Sequence, residues 1–335
     1  METDLQHFIP VSYAKIGKNC ILTSINCITE HSGCGLSETD LFILSNGFNI
    51  KYSYDLCSIG KLSTDVFSDI EKETSIRVNI RRKDYEGIFP GEMDYILATG
   101  NLILLLVDTA HLRYSSLYSE NANRQHAILL NGISLDEERA HIVDLHLTDY
   151  SGNTSIYQGE VPLEEVMAAA YAYVWLDLER WKDFSEMEIW RIARRGFDDF
   201  MKGFSGEEFA SGLSAVINFV SDINKLELLD DQALAATCKD INYNIKVKSI
   251  NCINKFIISF INESSVSREL NCTKLIDSIG WHISEWEKIG LSILRIGISK
   301  RKGGLSGIRE KGIALLDSQR EVYNEFSNYL RGLTA

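Results

Sequence analysis

The sequence predicts an α+β domain followed by an all-helical domain. Up to about residue 155, short helical runs alternate with apolar runs typical of strands, whereas helical periodicity recurs throughout the remainder. At 335 residues the chain is also long enough for two hydrophobic cores. We therefore assign residues 1–157 to the mixed domain and residues 158–335 to the helical domain.

Local signals define the elements of the mixed domain. Asn19 is a good N-cap and Gly33 a good helix stop, so a helix is expected over 20–33 with Cys20 at its first position. A polar turn around Leu135 joins the last two strands into a hairpin. The other helices are expected over 37–44, 64–72 and 91–99, and the strands over 48–54, 75–82, 102–108, 126–131 and 141–147.

The second domain is expected to consist of helices only. Pro162 suits the first turn of a helix predicted over 161–181. Ser185 with Glu188, and Ser205 with Glu208, have the spacing of capping boxes that open two more helices. Helical periodicity then covers roughly 231–262, 266–298 and 305–332.

Composition excludes several classes of function. The formal net charge of −13 makes a nucleic acid an unexpected partner. The longest apolar runs are too short to cross a bilayer, and the N-terminus lacks the pattern of a signal peptide, so we expect a cytoplasmic protein without membrane contact. Seven cysteines without a CxxC pair indicate neither a disulfide framework nor a zinc site.

Cys20 is the candidate nucleophile. A thiol at the first position of a helix lies at the positive end of the helix dipole, which favours the thiolate. Cys27 is the alternative, but it falls in the middle of the same helix, where burial raises the pKa of a thiol. Core packing is therefore the expected role of Cys27.

A base and a group that orients it lie downstream. If the strands around His126 and Asp144 form a hairpin centred on Leu135, these two residues lie directly opposite each other on one face. The order Cys, His, Asp matches papain-like enzymes. His141 and His146 flank Asp144, but on a regular strand His141 points to the other face, so no metal site is expected.

Residues 19–150 resemble the N-terminal domain of the butirosin-biosynthesis acyltransferase family, which has a papain-like, bacteriocin-peptidase-like fold. No single motif carries this resemblance, which rests on the order and spacing of several. They are Cys20 with Gly33, Leu36-Ser37-Glu38, Leu44 to Gly47, Tyr52-Ser53-Tyr54, Val107-Asp108, Leu112-Arg113-Tyr114 and the strands of His126 and Asp144. The predicted fold is thus a papain-like cysteine protease fold with a C-terminal helical domain.

The resemblance implies acyl transfer from a carrier-protein thioester to an amine, which forms an amide in the synthesis of an antibiotic or related metabolite. Cys20 would accept the acyl group, His126 would transfer protons, and Asp144 would orient the imidazole. The chain is also similar to family members that form amides in closthioamide assembly, which implies a polythioamide or oligo-β-alanine acyl donor and a diamine acceptor. No cofactor is implied beyond the phosphopantetheine of the donor carrier protein.

The same resemblance places three further residues near the substrate. Asp108 matches a polar position of the family and would orient the amine. Tyr114 belongs to the matching segment and is a second candidate for substrate contact. Asn19 stands where family members have His, which makes it a candidate donor to the oxyanion beside the backbone N–H of Cys20. A second oxyanion donor is not identified by the sequence.

Two other classes of function remain open. A cysteine peptidase or amidase would release the acyl group to water, and a non-catalytic binding module would retain its function without Cys20. Arg301 and Lys302 lie in the densest basic cluster of an acidic chain and are candidates for docking an acidic carrier protein. A solvated junction between two helices is the alternative for this cluster.

Overall fold

The computed structural model describes residues 7–55, 57–60, 63–83, 89–119, 125–148, 153–265 and 272–334. Over these ranges the protein is a mixed α+β structure with antiparallel sheets. Among the helices described, none is both long and apolar enough to cross a membrane.

The strands range from two to ten residues. They are β1 (His7–Phe8), β2 (Lys51–Ser53), β3 (Ser58–Gly60), β4 (Arg77–Arg82), β5 (Ile103–Asp108), β6 (Gln125–Ser134), β7 (Arg139–Thr148), β8 (Thr154–Pro162), β9 (Ala170–Asp177), β10 (Phe204–Ser205) and β11 (Phe209–Ser211).

The two longest of the described helices are the last two along the chain. They are α1 (Cys20–His31), α2 (Glu38–Leu44), α3 (Ser63–Thr74), α4 (Pro90–Ala98), α5 (Ser116–Ser119), α6 (Leu163–Ala169), α7 (Glu186–Lys202), α8 (Leu213–Asp222), α9 (Asp231–Val247), α10 (Ile250–Glu263), α11 (Thr273–Ser299) and α12 (Leu305–Leu333). Single 3-10 segments cover Thr109–His111, Ile223–Leu228 and Lys302–Gly304.

The first compact unit contains the chain up to Leu41 and from Ile70 to Asp183. Its sheet has the strand order β4-β9-β5-β6-β7-β8, and β1 pairs with the C-terminal end of β6. The central strands β5, β6 and β7 are buried along almost their whole length, as expected for strands covered on both faces. Helix α1 packs against β6 and β7, which brings its N-terminus to the candidate site.

The second compact unit contains the segment from Phe42 to Asp69 and the chain from Phe184 onward. Its core is aromatic, with the Phe197 ring in edge contact with those of Phe48, Tyr323 and Phe326. A small sheet in the order β10-β11-β2-β3 accompanies its helices. The expectation of a purely helical second domain is therefore wrong, because the segment 51–60 and its partner strands belong to this unit.

The helix predicted over 161–181 is the largest error in secondary structure. Within this range only α6 (Leu163–Ala169) is helical, and strand β9 follows it directly. The run from Ala170 to Asp177 alternates small and aromatic residues, which suits a strand, and β9 pairs with β4 on one side and β5 on the other. The predicted boundary at 157/158 consequently falls inside β8, and the sheet of the first unit continues to Asp177.

Other differences are local. The helix predicted after Ser205 and Glu208 is absent from this segment, which forms the β10–β11 hairpin, whereas the Ser185 and Glu188 box is present and opens α7. The region 231–262, predicted to be helical, consists of two helices, because helical structure is interrupted around Ser249. Residues 266–271 of the predicted helix 266–298 lie outside the described residues, and the rest corresponds to α11.

Candidate functional site

Helix α1 begins where the sequence predicts, with Cys20 as its first residue. The side-chain oxygen of Asn19 accepts hydrogen bonds from the backbone N–H groups of Ile21 and Leu22 at 3.0 and 3.2 Å, so Asn19 is the N-cap. Cys20 is buried, with 7% of its surface exposed. The thiol lies at the positive end of the helix dipole, which favours the thiolate, whereas its burial opposes that charge.

Glu38 holds the loop that leads into this helix. Its carboxylate accepts from the backbone N–H groups of Lys18 and Asn19 at 2.8 and 2.9 Å, and from the Thr23 hydroxyl at 2.8 Å. Gly17 is required here, because a Cβ at that position would lie 1.9 Å from the Thr23 hydroxyl oxygen. These contacts fix the backbone immediately before Cys20.

His126 and Asp144 are in direct contact. The Nε2 atom of His126 lies 2.8 Å from Oδ1 of Asp144, and both side chains are buried, at 6% and 0% exposure. Because Asp144 occupies Nε2, the other ring nitrogen, Nδ1, is left to face the thiol. His126 is hydrogen-bonded to the Cys20 side chain. The structure thus brings together the three residues that the sequence predicts as a group.

The register behind this contact differs from the predicted one. His126 and Asp144 are not directly opposite, because β6 and β7 pair Gly132 with His141 but Leu130 with Ile142, which makes Asn131 an extra residue of a β-bulge. Continued beyond Leu129 and Val143, this register places Asp144 opposite residue 128, so His126 lies diagonally from it on the same face. Without the bulge, the two side chains would lie on opposite faces.

Contacts from outside the hairpin hold the bulge. The Asn131 carbonyl accepts from the backbone N–H of Ile9 at 2.8 Å, and its side-chain amide donates to the Ile9 carbonyl at 2.9 Å. The Asn131 side-chain oxygen lies 2.7 Å from Nδ1 of His141. His141 therefore supports the sheet at a position away from the Asp144 contact.

Asp144 accepts four hydrogen bonds. Oδ1 accepts hydrogen bonds from the His126 ring and from the backbone N–H of His146, the latter at 3.1 Å. Oδ2 takes the hydroxyl of Tyr114 at 2.9 Å and that of Tyr118. Burial alone would raise the pKa of the Asp144 carboxyl, but the charge of His126 and these hydrogen bonds outweigh burial and lower it. Asp144 is consequently a fully satisfied carboxylate.

The same balance sets the protonation of His126. Burial opposes the charged imidazolium, but the charge and hydrogen bond of Asp144, together with the contact with Cys20, raise the pKa of His126 to about 10. At neutral pH the pair is therefore imidazolium and carboxylate. The imidazolium beside a sulfur at a helix start stabilises the thiolate form of Cys20.

His146 stays neutral beside this charged pair. Burial and the nearby charge of His126 lower its pKa to about 4, and its Nδ1 lies 3.1 Å from the Thr148 hydroxyl. A hydrogen bond with the backbone of Lys18 links its ring to the loop before Cys20. His146 thus connects strand β7 to the helix start.

Three residues expected near the substrate have structural contacts. Asn19 caps α1 as described above. The Tyr114 hydroxyl donates to Oδ2 of Asp144, and the Tyr114 ring stacks on the Tyr157 ring, with 4.4 Å between ring centroids. Tyr114 therefore contacts the carboxylate oxygen that His126 does not use. Asp108 ends β5, and its Oδ1 accepts from the backbone N–H of Ala110 at 2.9 Å.

The predicted carrier-docking residues belong to the second unit. Arg301 is exposed, whereas the Lys302 ammonium donates to the backbone carbonyls of Glu227 and Leu229. Lys302 therefore has a structural partner at the end of a 3-10 segment. The rival nucleophile Cys27 is buried, and burial together with Glu30 raises the pKa of its thiol to about 11, as the sequence predicts.

Sequence reasoning missed Tyr118, Glu38 and His146 as parts of the site. Tyr118 follows Tyr114 by four residues, a spacing that places two side chains on one helical face and could have indicated a joint partner. Glu38 enters the sequence analysis only as part of the Leu36-Ser37-Glu38 segment of the family resemblance, without a role in the site. Its contacts with the Cys20 loop depend on how α1 and α2 fold together.

The first unit is therefore an α+β domain that carries a buried Cys–His–Asp group at the start of a helix. Residues 19–145 match the family model described as butirosin biosynthesis protein H, N-terminal, which supports the assignment of this part of the chain to that family. The matched segment begins one residue before Cys20 and ends one residue after Asp144. A comparison with curated proteins found no match to the chain.

Proposed function

We propose that the protein is a thiol acyltransferase with a papain-like mechanism, which moves an acyl group from a thioester through Cys20 to an amine. The observation that carries this proposal is the contact of the Cys20 thiol with His126, whose other nitrogen bonds a buried carboxylate. The family model that residues 19–145 match is described by its part in butirosin biosynthesis, which favours a synthetic reaction over protein degradation.

The first half-reaction forms an acyl-enzyme. The Cys20 thiolate attacks the carbonyl carbon of the donor thioester, and the carbonyl electrons move onto oxygen. The tetrahedral intermediate then collapses, the bond to the donor sulfur breaks, and the proton on Nδ1 of His126 goes to the leaving thiolate. The product is a thioester on Cys20 and a free thiol, which we propose to be the phosphopantetheine arm of an acyl carrier protein.

The second half-reaction forms the amide. A neutral amine attacks the acyl-enzyme, and His126, now neutral, takes the proton that the nitrogen loses. Collapse of the second intermediate releases the amide and restores the Cys20 thiolate beside the imidazolium. Asp144 remains ionised throughout, because its four hydrogen bonds and the nearby imidazolium stabilise the charge. Asp108 remains our candidate for orienting the amine, which would carry one amino group or two.

Detection of the acyl-enzyme tests this function. The protein is incubated with acetyl, butyryl and hexanoyl thioesters of N-acetylcysteamine, and its intact mass is measured. We expect one acyl adduct, mapped by trypsin to Cys20, that disappears in Cys20→Ala and persists in the control Cys34→Ala. Added amines should then discharge the adduct as amides faster than water discharges it.

Two outcomes would contradict the proposal. If the acyl group on Cys20 is lost to water at the same rate with and without added amines, the protein would be a hydrolase instead. Retention of substrate binding without any adduct, in wild type and Cys20→Ala alike, would indicate a binding module.

Carrier docking at the basic cluster requires a separate measurement. Arg301→Glu is the suitable variant, because Lys302 holds backbone carbonyls and its replacement would also perturb folding. If this surface docks an acidic carrier, Arg301→Glu raises KM for a carrier-bound donor and leaves KM for the N-acetylcysteamine thioester unchanged. Equal KM values for the carrier-bound donor in both proteins would rule out docking through Arg301.

A further inference from the structure

Strand β9 contains a second bulge that lies beside the candidate site. Ala172 pairs with Leu106 and Ala170 with Val107, so Tyr171 is the extra residue between them. Val107 in turn pairs with His126 on the neighbouring strand. The bulge therefore lies in the same row of the sheet as His126, two strands away.

The register also fixes the face on which Tyr171 lies. Residues paired across strands project from the same face, so Val107 and His126 share one face and Leu106 and Ala172 share the other. Tyr171 follows the alternation from Ala172 and therefore lies on the face of His126. Bulges next to active sites commonly re-aim one side chain, which is the effect required here.

The surroundings of the Tyr171 hydroxyl place it near the thiol. The charges of Cys20 and Asp108 both act on this hydroxyl, and Arg82 acts in the opposite sense. Tyr171 is half-buried, and among the described residues none forms a hydrogen bond with its hydroxyl. A phenol near a nucleophilic sulfur, with its proton uncommitted, is available to donate to a substrate.

We infer that Tyr171 is a catalytic residue that donates its hydroxyl hydrogen bond to the oxyanion formed on the substrate carbonyl when Cys20 attacks. This inference rests on the proposed acyl transfer and supplies the oxyanion donor that the sequence leaves unassigned. The thiolate electron pair forms the S–C bond, the carbonyl π electrons move to oxygen, and Tyr171 stabilises that oxygen without losing its proton. The oxyanion is lost again when the leaving group departs.

The protonation of Tyr171 supports a donor role. Burial, followed by the charges of Cys20 and Asp108, raises its pKa to about 12, so the hydroxyl keeps its proton at neutral pH. Loss of one oxyanion donor typically slows acyl transfer by about 10²- to 10³-fold. An effect of this size is measurable in single-turnover acylation.

Two reactions of the same sulfur separate an oxyanion donor from a merely structural residue. Alkylation of Cys20 by iodoacetamide forms no oxyanion, whereas acylation by p-nitrophenyl acetate or by the acetyl thioester does. We expect Tyr171→Phe to slow both acylations by about 10²-fold or more, with alkylation of Cys20 within about two-fold of wild type. Tyr173→Phe is the matched control, since Tyr173 lies on the same strand and donates to Glu92 at 2.5 Å.

A second variant tests rescue of the hydrogen bond. Tyr171→Gln returns an N–H donor to this position and is expected to recover part of the acylation rate relative to Tyr171→Phe. The inference is overturned if Tyr171→Phe acylates as fast as wild type, if it slows alkylation as much as acylation, or if Phe and Gln variants are equally impaired. Acylation by p-nitrophenyl acetate that depends on Tyr171 supports the inference even where transfer from the thioester to amines fails.

Discussion

The charge of Asp144 should govern the reactivity of Cys20, and Asp144→Asn tests this directly. The amide oxygen of Asn can keep the hydrogen bonds from His126 and the backbone of His146, while the hydroxyls of Tyr114 and Tyr118 can rotate to accept from its NH₂ group. The geometry is then retained and only the negative charge is lost. The change therefore isolates the electrostatic contribution of the carboxylate.

The distance between the two side chains sets the expected magnitude. His126 and Asp144 have closest atoms 2.8 Å apart, which places their charge centres about 4 Å apart. At an effective dielectric constant of about 20, this attraction is ~4 kcal/mol, or about 1000-fold in the ratio of imidazolium to imidazole. Without it, burial opposes protonation of His126, and its pKa falls.

The assay is alkylation of Cys20 by iodoacetamide between pH 5 and 9, followed by peptide mapping. Mapping is needed because Cys34, Cys57 and Cys272 are also partly accessible. At pH 6 we expect alkylation of Cys20 to be about 10²- to 10³-fold slower in Asp144→Asn, since the thiol loses its imidazolium partner. Asp136→Asn, in the exposed turn of the same hairpin, is the matched control. A rate in Asp144→Asn within about three-fold of wild type would refute this reasoning.

Three further substitutions and one pH dependence test the surroundings of the site. Tyr118→Phe removes one of two hydroxyl donors to Oδ2 of Asp144, so urea titration at pH 7 should show a loss of about 1.5–3 kcal/mol in unfolding free energy, and an unchanged value would exclude this bond as a stabiliser. Glu38→Gln weakens the acceptor for the loop before α1 and should lower the melting temperature, with slower Cys20 alkylation; normal alkylation would argue against a positioning role. Asn19→Ser keeps an N-cap oxygen but removes the amide N–H, so slower acylation with unchanged stability would identify Asn19 as an oxyanion donor, and unchanged acylation would exclude it. Because the pKa of His126 is raised in the folded protein, its protonation contributes stability that is complete below pH 6.5 and is lost as pH rises through about 10. The free energy of unfolding should therefore fall from pH 8 to 11 in wild type and fall less in Asp144→Asn.

The local parts of the site were predictable because their signals lie within a few residues. The cap at Asn19 and the position of Cys20 follow from which residue types satisfy free N–H groups at a helix start. The hairpin of β6 and β7 follows from two apolar runs separated by a polar turn. Both predictions are confirmed, although the strands extend further than expected.

The secondary structure of 170–177 shows where local reasoning fails. The segment Ala170-Tyr171-Ala172-Tyr173 follows a helical run, and its alanines favour a continued helix. Strands β4 and β5, which are distant in sequence, offer backbone hydrogen bonds on both sides and make the extended conformation more favourable. Tyr171 could not be recognised as part of the site for this reason, since a helix would have turned its side chain elsewhere.

The contact of His126 with Asp144 combines both kinds of information. The sequence identified the residues and their hairpin, and it also predicted that they share a face. The predicted direct pairing is wrong, and the shared face depends on the bulge at Asn131, which is held by Ile9.

By itself, the sequence determined a cysteine at a helix start, a histidine and an aspartate on two consecutive strands, and an acidic chain of mixed α+β type. Only the tertiary structure decided the strand register, the four donors around Asp144 and the position of Tyr171. The physical reason is that a cap or a turn is stabilised by neighbours along the chain. A register or a buried carboxylate is stabilised by groups that meet only when distant segments pack together.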